Sequence, residues 1–258
     1  MSRRNNVVGN AVADLTLEAL SGYSTSRLEF YAASLRAATT ASNPAYGLAW
    51  YGDHYRDVAR DPDWFVGSLI DNAFVEGEGA RKLWALSAQC PVGQTAAQIK
   101  RHAIDESRHA QYYIRIVEIV FPDSIADEIR PDLDALSPRY LPTTAAPVDL
   151  AMKSEKRVVD ELIQMNIGEI RTRINQLLLR PVARAYCNER DDDLVKLRRV
   201  LDRLMRDETR HIYYTAQLLE RYALDGWGEL IEGLMHQRMQ DFNEITLEEV
   251  GAGRFDGS

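Results

Sequence analysis

The pentapeptide Asp105-Glu106-Ser107-Arg108-His109 returns almost letter for letter as Asp207-Glu208-Thr209-Arg210-His211. In each copy Glu and His are three residues apart, so on an α-helix they lie about one turn apart on the same side. Each copy also sits on an apolar helical stripe. Ile99, Ala103, Ala110, Tyr113 and Val117 make the first stripe, and Leu197, Leu201, Leu204, Thr215 and Leu218 the second. A buried carboxylate without a partner is costly, and a buried imidazole less so. A chain that writes this word twice must therefore fold so that both faces enter a core where something satisfies them. A pair of divalent metal ions does so economically, because carboxylate and imidazole together suit iron, manganese or zinc.

The rest of the chain reads as helix, with no convincing alternating segment. Residues 11–38 give one or two amphipathic helices around a break at Ser21-Gly22, and Pro44 opens another through Tyr55. Asp61-Pro62-Asp63 signals a helix N-terminus, with Pro in the first turn. That helix runs to about Cys90, and the next from about Thr95 to Val120. Four prolines in 131–147 mark a long crossover with little regular structure. A third long helix is expected over 148–180, ending before Pro181, and a fourth from Asp191–Asp193 to about Leu224. A last helix covers about 227–249, followed by a loose tail at 251–258. The expectation is an all-α four-helix bundle with one long crossover and additional N- and C-terminal helices. It forms a single domain over 1–258, with its core at about 62–224, where the first two long helices look like a copy of the second two.

Composition narrows the function classes. The 258 residues are 45% hydrophobic, enough for one large core or two small ones. A net charge of −8 and a pI near 5.2 argue against nucleic acid or an anionic membrane as partner. No run approaches the roughly 18 apolar residues that span a bilayer. The N-terminus lacks the apolar core of a signal peptide. Cys90 and Cys187 form no CxxC and suggest no disulfide scaffold, which fits a reducing cytoplasm.

Two further carboxylates follow from helix phase at about 100° per residue. On the 62–90 helix, Glu76 shares the face of Phe65, Leu69, Ala73, Ala80 and Leu83, whereas Glu78 points almost the opposite way. On the third long helix, Glu169 lies at the edge of the face made by Leu162, Met165, Asn166 and Ile170, and Glu161 points away. Asp105 and Asp207, each one residue before the repeated Glu, are placed to accept the outer N–H of a ligand histidine and fix its tautomer. Arg108 and Arg210 would balance those carboxylates or be ordinary helix-surface charges.

This pattern resembles the ferritin-like di-iron carboxylate superfamily, over about residues 62–224. DESRH and DETRH, with VEGEGARKLWALSAQ and NIGEIRTR around them, are similar to bacterial multicomponent monooxygenase hydroxylases and more loosely to ribonucleotide reductase small subunits. The resemblance implies an enzyme, an oxidoreductase with two iron ions, or manganese or a mixed pair, that activates O2. By resemblance Glu76, Glu106, His109, Glu169, Glu208 and His211 are the metal ligands, Asp105 serves His211, and Asp207 serves His109. The leading expectation is a non-haem di-iron oxygenase that hydroxylates, desaturates or N-oxygenates a small organic substrate. It would draw on an electron donor such as a reductase or ferredoxin and could form a homodimer. The alternatives are an iron oxidase or storage protein, a radical-generating reductase-like subunit, and a helical subunit whose cluster only braces the core.

Three residues depart from the simple pattern. His102, one turn before Glu106, gives HxxxExxH; the p-aminobenzoate N-oxygenase family carries such a histidine on its second motif helix, where this chain has Leu204. His102 reads as a seventh ligand, as a donor to a ligand, or as a core histidine. Tyr113, four residues after His109, has the spacing of the radical tyrosine in reductase small subunits, or is a core tyrosine. Arg173, one turn past Glu169, would bind a substrate carboxylate bidentately or close a salt bridge at the bundle end. His102 and Arg173 lean toward an amino-acid or aryl-amine substrate.

Overall fold

The computed structural model describes residues 8–23, 28–141, 152–187 and 191–251, among which every regular element is helical and no strand occurs. Helices α1 (Val8–Ser21), α2 (Glu29–Ser42) and α3 (Ala49–Val58) come first, with a 3-10 turn at Ala45–Gly47. Helix α4 (Pro62–Gln89) starts as its sequence signals: Asp61 caps it by accepting from the Asp63 backbone N–H at 3.0 Å, with Pro62 at the first position. Helix α5 spans Gly93–Val120, α6 Arg130–Asp134, α7 Glu155–Tyr186, α8 Asp191–Tyr222 and α9 Gly228–Val250. Among the described residues no helix is long and apolar enough to cross a membrane.

Two expectations need correction. The third long helix does not stop before Pro181; α7 runs on to Tyr186. Proline removes the hydrogen bond to the carbonyl four residues back, here Leu177. Leu177 and Pro181 both lie on the exposed face, where that carbonyl is open to solvent. The crossover is also more regular than its prolines suggest, with α6 and a 3-10 turn at Pro138–Tyr140. Its part from 142 to 147, the start of the expected third helix at 148–151, Asn188 and the tail from 252 lie outside the described residues.

The chain divides into two compact units, with α7 and α8 each running through both. The first unit holds Met1–His54, Lys156–Asn175 and Glu208–Ser258. Here α2 packs on α1 and α9. Glu220 of α8 accepts from the Phe30 and Tyr31 backbone N–H groups at 3.1 and 2.8 Å, so a carboxylate from a distant helix serves the positive end of α2. After α8 the chain turns through Ala223–Trp227, where Gly226 takes φ 95°, a conformation open to glycine at little cost. Asp160 and Arg238 tie α7 to α9 by a two-pronged ion pair, Nε to Oδ1 at 2.8 Å and Nη2 to Oδ2 at 2.9 Å. These hydrogen bonds from Arg238 outweigh partial burial and hold the Asp160 carboxyl below its usual range. A carboxyl depressed in the folded state stabilises above its unfolded pKa, and that stabilisation is lost as pH falls through the folded value. Asp160→Asn is therefore expected to cost about 1–2 kcal/mol at pH 7. It should also shrink the loss of stability between pH 5 and pH 2, measured by urea unfolding at each pH.

The second unit holds Tyr55–Glu155 and Gln176–Asp207. Phe65, Leu69 and Ala73 of α4 pack with Ala110, Tyr113 and Val117 of α5, and with Leu179, Ala183, Leu197 and Leu201. The crossover is pinned to this core: Gln111 Nε2 donates to the Leu133 carbonyl at 3.0 Å, and Ser107 Oγ donates to that of Leu136. Gly77 makes room for it, since a Cβ there would fall 2.5 Å from Leu136 Cδ2. Gly77→Leu is expected to destabilise by about 1–3 kcal/mol through overpacking. Gly67→Ala on the same helix, where nothing lies within 4 Å of the added carbon, should be neutral or stabilising. Chemical denaturation of both variants checks the contrast.

Candidate metal centre

Each unit gathers one histidine and two glutamates. In the second, α4 supplies Glu76 and α5 supplies Glu106 and His109. His109 Nδ1 lies 3.5 Å from Glu106 Oε1 and 4.0 Å from Glu76 Oε2. In the first, α7 supplies Glu169 and α8 supplies Glu208 and His211. His211 Nδ1 lies 3.5 Å from Glu169 Oε2 and 3.8 Å from Glu208 Oε2. The two triads match atom for atom in kind: Nδ1 faces two carboxylates, one from the histidine's own helix and one from a neighbour. All six residues are no more than 8% exposed.

These separations decide what the triads can do. They exceed the 2.7–3.2 Å of an N–H···O hydrogen bond. Ligands each about 2.1 Å from a shared ion are roughly 3.0–4.2 Å apart, and both triads fall in that interval. Imidazole nitrogen with carboxylate oxygen is the donor set of iron, manganese and zinc. The buried His102, Glu106, His109, Glu169, Glu208 and His211 are side chains that could hold a metal ion. Comparison with family models, with curated proteins and with solved structures gave no match. The case for this centre therefore rests on its residues.

The surroundings bear on charge. His102 is 1% exposed and its Nε2 lies 3.1 Å from Glu106 Oε1, within hydrogen-bond reach, so this oxygen stands between two histidines. Burial pushes the Glu106 carboxyl up, but Glu76, His102 and His109, close around it and with His102 at hydrogen-bond distance, outweigh this and hold the group well below the usual carboxylate range. Asp207 Oδ2 lies 3.7 Å from His109 Nε2, opposite the ring nitrogen that meets the glutamates. Asp105 accepts from Arg108 Nη1 at 3.0 Å, with the arginine half in water.

The two further candidates fall in different settings. Tyr113 is 2% exposed inside the apolar core of the second unit. Arg173 is half-buried, and its Nε donates to Thr209 Oγ1 at 3.2 Å, next to Glu208 in sequence. Burial lowers the basicity of Arg173, and Glu18 and Tyr23 partly restore it.

Some structural partners were not foreseen from the motifs. Asn166, one turn before Glu169, accepts from Tyr31 Oη at 2.8 Å and donates to Thr215 Oγ1 at 2.8 Å, and Thr215 Oγ1 donates to the His211 carbonyl. This buried relay fixes the helix turn carrying His211. Arg203 and Tyr112 also adjoin the centre: Arg203 Nε donates to Asp207 Oδ2 at 3.0 Å, and the Tyr112 ring lies 6.2 Å from that of His109. The signal for Arg203 was present, since it stands four residues before Asp207 on one helix.

Proposed function

We propose that this chain is a ferritin-like, non-haem di-iron oxygenase that oxidises a small organic substrate with O2. The observation that carries the reading is the pair of like triads, Glu76–Glu106–His109 and Glu169–Glu208–His211, each with Nδ1 3.5–4.0 Å from its carboxylates. Asp207, opposite His109 Nε2, and Glu208, opposite His211 Nδ1, are consecutive residues of α8. Each triad by itself offers the donor set of one divalent ion, and two such triads support a reading with two ions.

Iron bound there supplies the redox chemistry that lets O2 react with an otherwise inert substrate. The protein's part is to hold, orient and insulate. Asp207, 3.7 Å from His109 Nε2, would accept that N–H once an ion draws the ring and the acid together, leaving the Nδ1 lone pair for the ion. His102 donates to Glu106 and holds that carboxylate in place. The apolar residues around both triads keep water from the oxidising centre. Arg173, anchored through Nε to Thr209, presents both Nη groups for an anionic group on the substrate, since among the described residues it has no carboxylate within ion-pair distance.

Anaerobic Fe(II) titration with iron counted per chain, then stopped-flow absorbance on O2 addition, tests the reading. Two irons and a transient visible band that decays faster with amines or carboxylates present are the expected result. Smooth ferric growth alone would point to iron oxidation, and the sharp absorbance of a tyrosyl radical to a radical-generating subunit. No bound iron would overturn the proposal.

A further inference from the structure

A polar bridge ties α7 to α8 one turn from each of two residues of the first unit's triad. Asn166 stands three residues before Glu169 on α7, and Thr215 four residues after His211 on α8. Asn166 Nδ2 donates to Thr215 Oγ1 at 2.8 Å and to the Ile212 carbonyl at 3.2 Å, which uses both amide hydrogens. Thr215 Oγ1 donates in turn to the His211 carbonyl at 2.8 Å. The amide oxygen of Asn166 accepts from Tyr31 Oη at 2.8 Å. Burial raises the Tyr31 phenol above its usual range, so it keeps its proton and remains a donor. Tyr31 is itself held by α8, through its backbone N–H on Glu220 Oε2 at 2.8 Å. Tyr31, Asn166, Thr215 and His211 belong to one unit and are no more than 1% exposed.

The second unit's triad is built otherwise. At the matching positions, three before Glu76 and four after His109, stand Ala73 and Tyr113, both packed in the apolar core of that unit. Ala73 has no polar side-chain atom, so an amide bridge of this kind cannot form there. One pair of ligand helices is spaced by directional hydrogen bonds, the other by packing. A bound ion holds its ligand distances to about 0.2 Å, so the spacing of two helices that share its ligands bears directly on affinity. A fully satisfied buried network rigidifies the groups it joins. Here those groups flank the 3.5 Å gap between His211 Nδ1 and Glu169 Oε2.

We propose that Asn166, Thr215 and Tyr31 are positioning residues for the ion of the Glu169–Glu208–His211 triad, and that the ion of the Glu76–Glu106–His109 triad does not depend on them. The proposal rests on the two-ion reading. It makes the two sites unequal, one adjusted from α2 and the other not.

The test counts Fe(II) bound per full chain, without O2, as free Fe(II) rises. Thr215→Val keeps the side-chain shape and removes the hydroxyl, leaving an Asn166 N–H without its acceptor. One ion should then bind as in the parent and the other about 10–100-fold more weakly. Thr215→Ser, which keeps Oγ, should restore both. Tyr31→Phe should weaken the same ion by a smaller factor, and it carries the comparison if Thr215→Val does not fold. The control is Tyr46→Phe: Tyr46 is equally buried in this unit, its Oη donates to Met239 Sδ at 3.2 Å, and both ions should keep their affinity. In a Glu169→Ala background, where the first triad has already lost a ligand, Thr215→Val should not weaken the remaining ion further; a further loss there would overturn the assignment. Two ions that weaken together in Thr215→Val and Tyr31→Phe, or that both hold their affinity, overturn the proposal alone, since the residues then only brace the fold. A parent chain that takes up no Fe(II) overturns the two-ion reading, and the proposal with it.

Discussion

Glu106→Ala is expected to lower bound iron from two per chain to one or none, and Glu208→Ala to do the same from the other triad. Glu106 Oε1 stands 3.1 Å from His102 Nε2 and 3.5 Å from His109 Nδ1, in a site that is 6% exposed. Water cannot readily replace the lost oxygen there without leaving two buried imidazoles poorly served. Loss of a hydrogen-bond partner to a ligand typically costs about 10–100-fold in metal affinity, and loss of a ligand itself should exceed that. The control is Glu78→Ala, two residues from Glu76, whose exposed side chain pairs with Lys82 at 2.7 Å; its iron content should match the parent. Asp207→Ala should fall between, with iron retained at saturation but bound about 10–100-fold more weakly. Iron counting after anaerobic loading and desalting separates the three outcomes. Unchanged content in both Glu106→Ala and Glu208→Ala would remove the two-ion reading.

The legible part of this protein was what helical periodicity controls. Glu76 shares its face with Phe65, Leu69 and Ala73 by phase alone, and it is buried beside His109. Glu78, two residues on, is exposed for the same reason. Glu169, placed at the edge of its face, still comes within 3.5 Å of His211 Nδ1. The expected approach of Asp207 to His109 also occurs, because residues directly before a motif on one helix are carried wherever the motif goes. Less legible was everything set by which surface meets which. Pro181 reads as a stop, yet an exposed proline with a solvent-open carbonyl behind it does not end α7. Glu220 capping α2 and Tyr31 donating to Asn166 join residues 189 and 135 positions apart, and neither end carries a local signal for the other. Arg203 and Tyr112 look like helix-surface residues until the fold sets them beside Asp207 and His109.

Removal of the metal should destabilise the fold, and removal of charge at the same place should reverse that loss. Each triad brings two carboxylates toward one imidazole in surroundings no more than 8% exposed. Without a cation, carboxylates gathered in so little solvent repel or take up protons. An ion that binds only the folded chain stabilises it by about 2.7 kcal/mol at a hundred times its Kd and about 4.1 kcal/mol at a thousand times. For a chain of this size that corresponds to roughly 5–15 °C in Tm. Chelated protein is therefore expected to melt that far below the loaded form in calorimetry. Glu76→Gln/Glu208→Gln replaces two charges by amides of similar shape and keeps Glu106, whose ionised form His102 supports, so in the metal-free state it should melt higher than the metal-free parent. It should gain little on addition of Fe(II), because neutral amides are poor ligands for a hard cation. A cluster that merely braced the core would behave oppositely: the metal-free parent would be as stable as the loaded one, and the amide pair, with its ion-paired hydrogen bonds weakened, would melt lower. The sign of the Tm change in the amide pair thus separates a site built around a cation from one that owes its charges to packing alone.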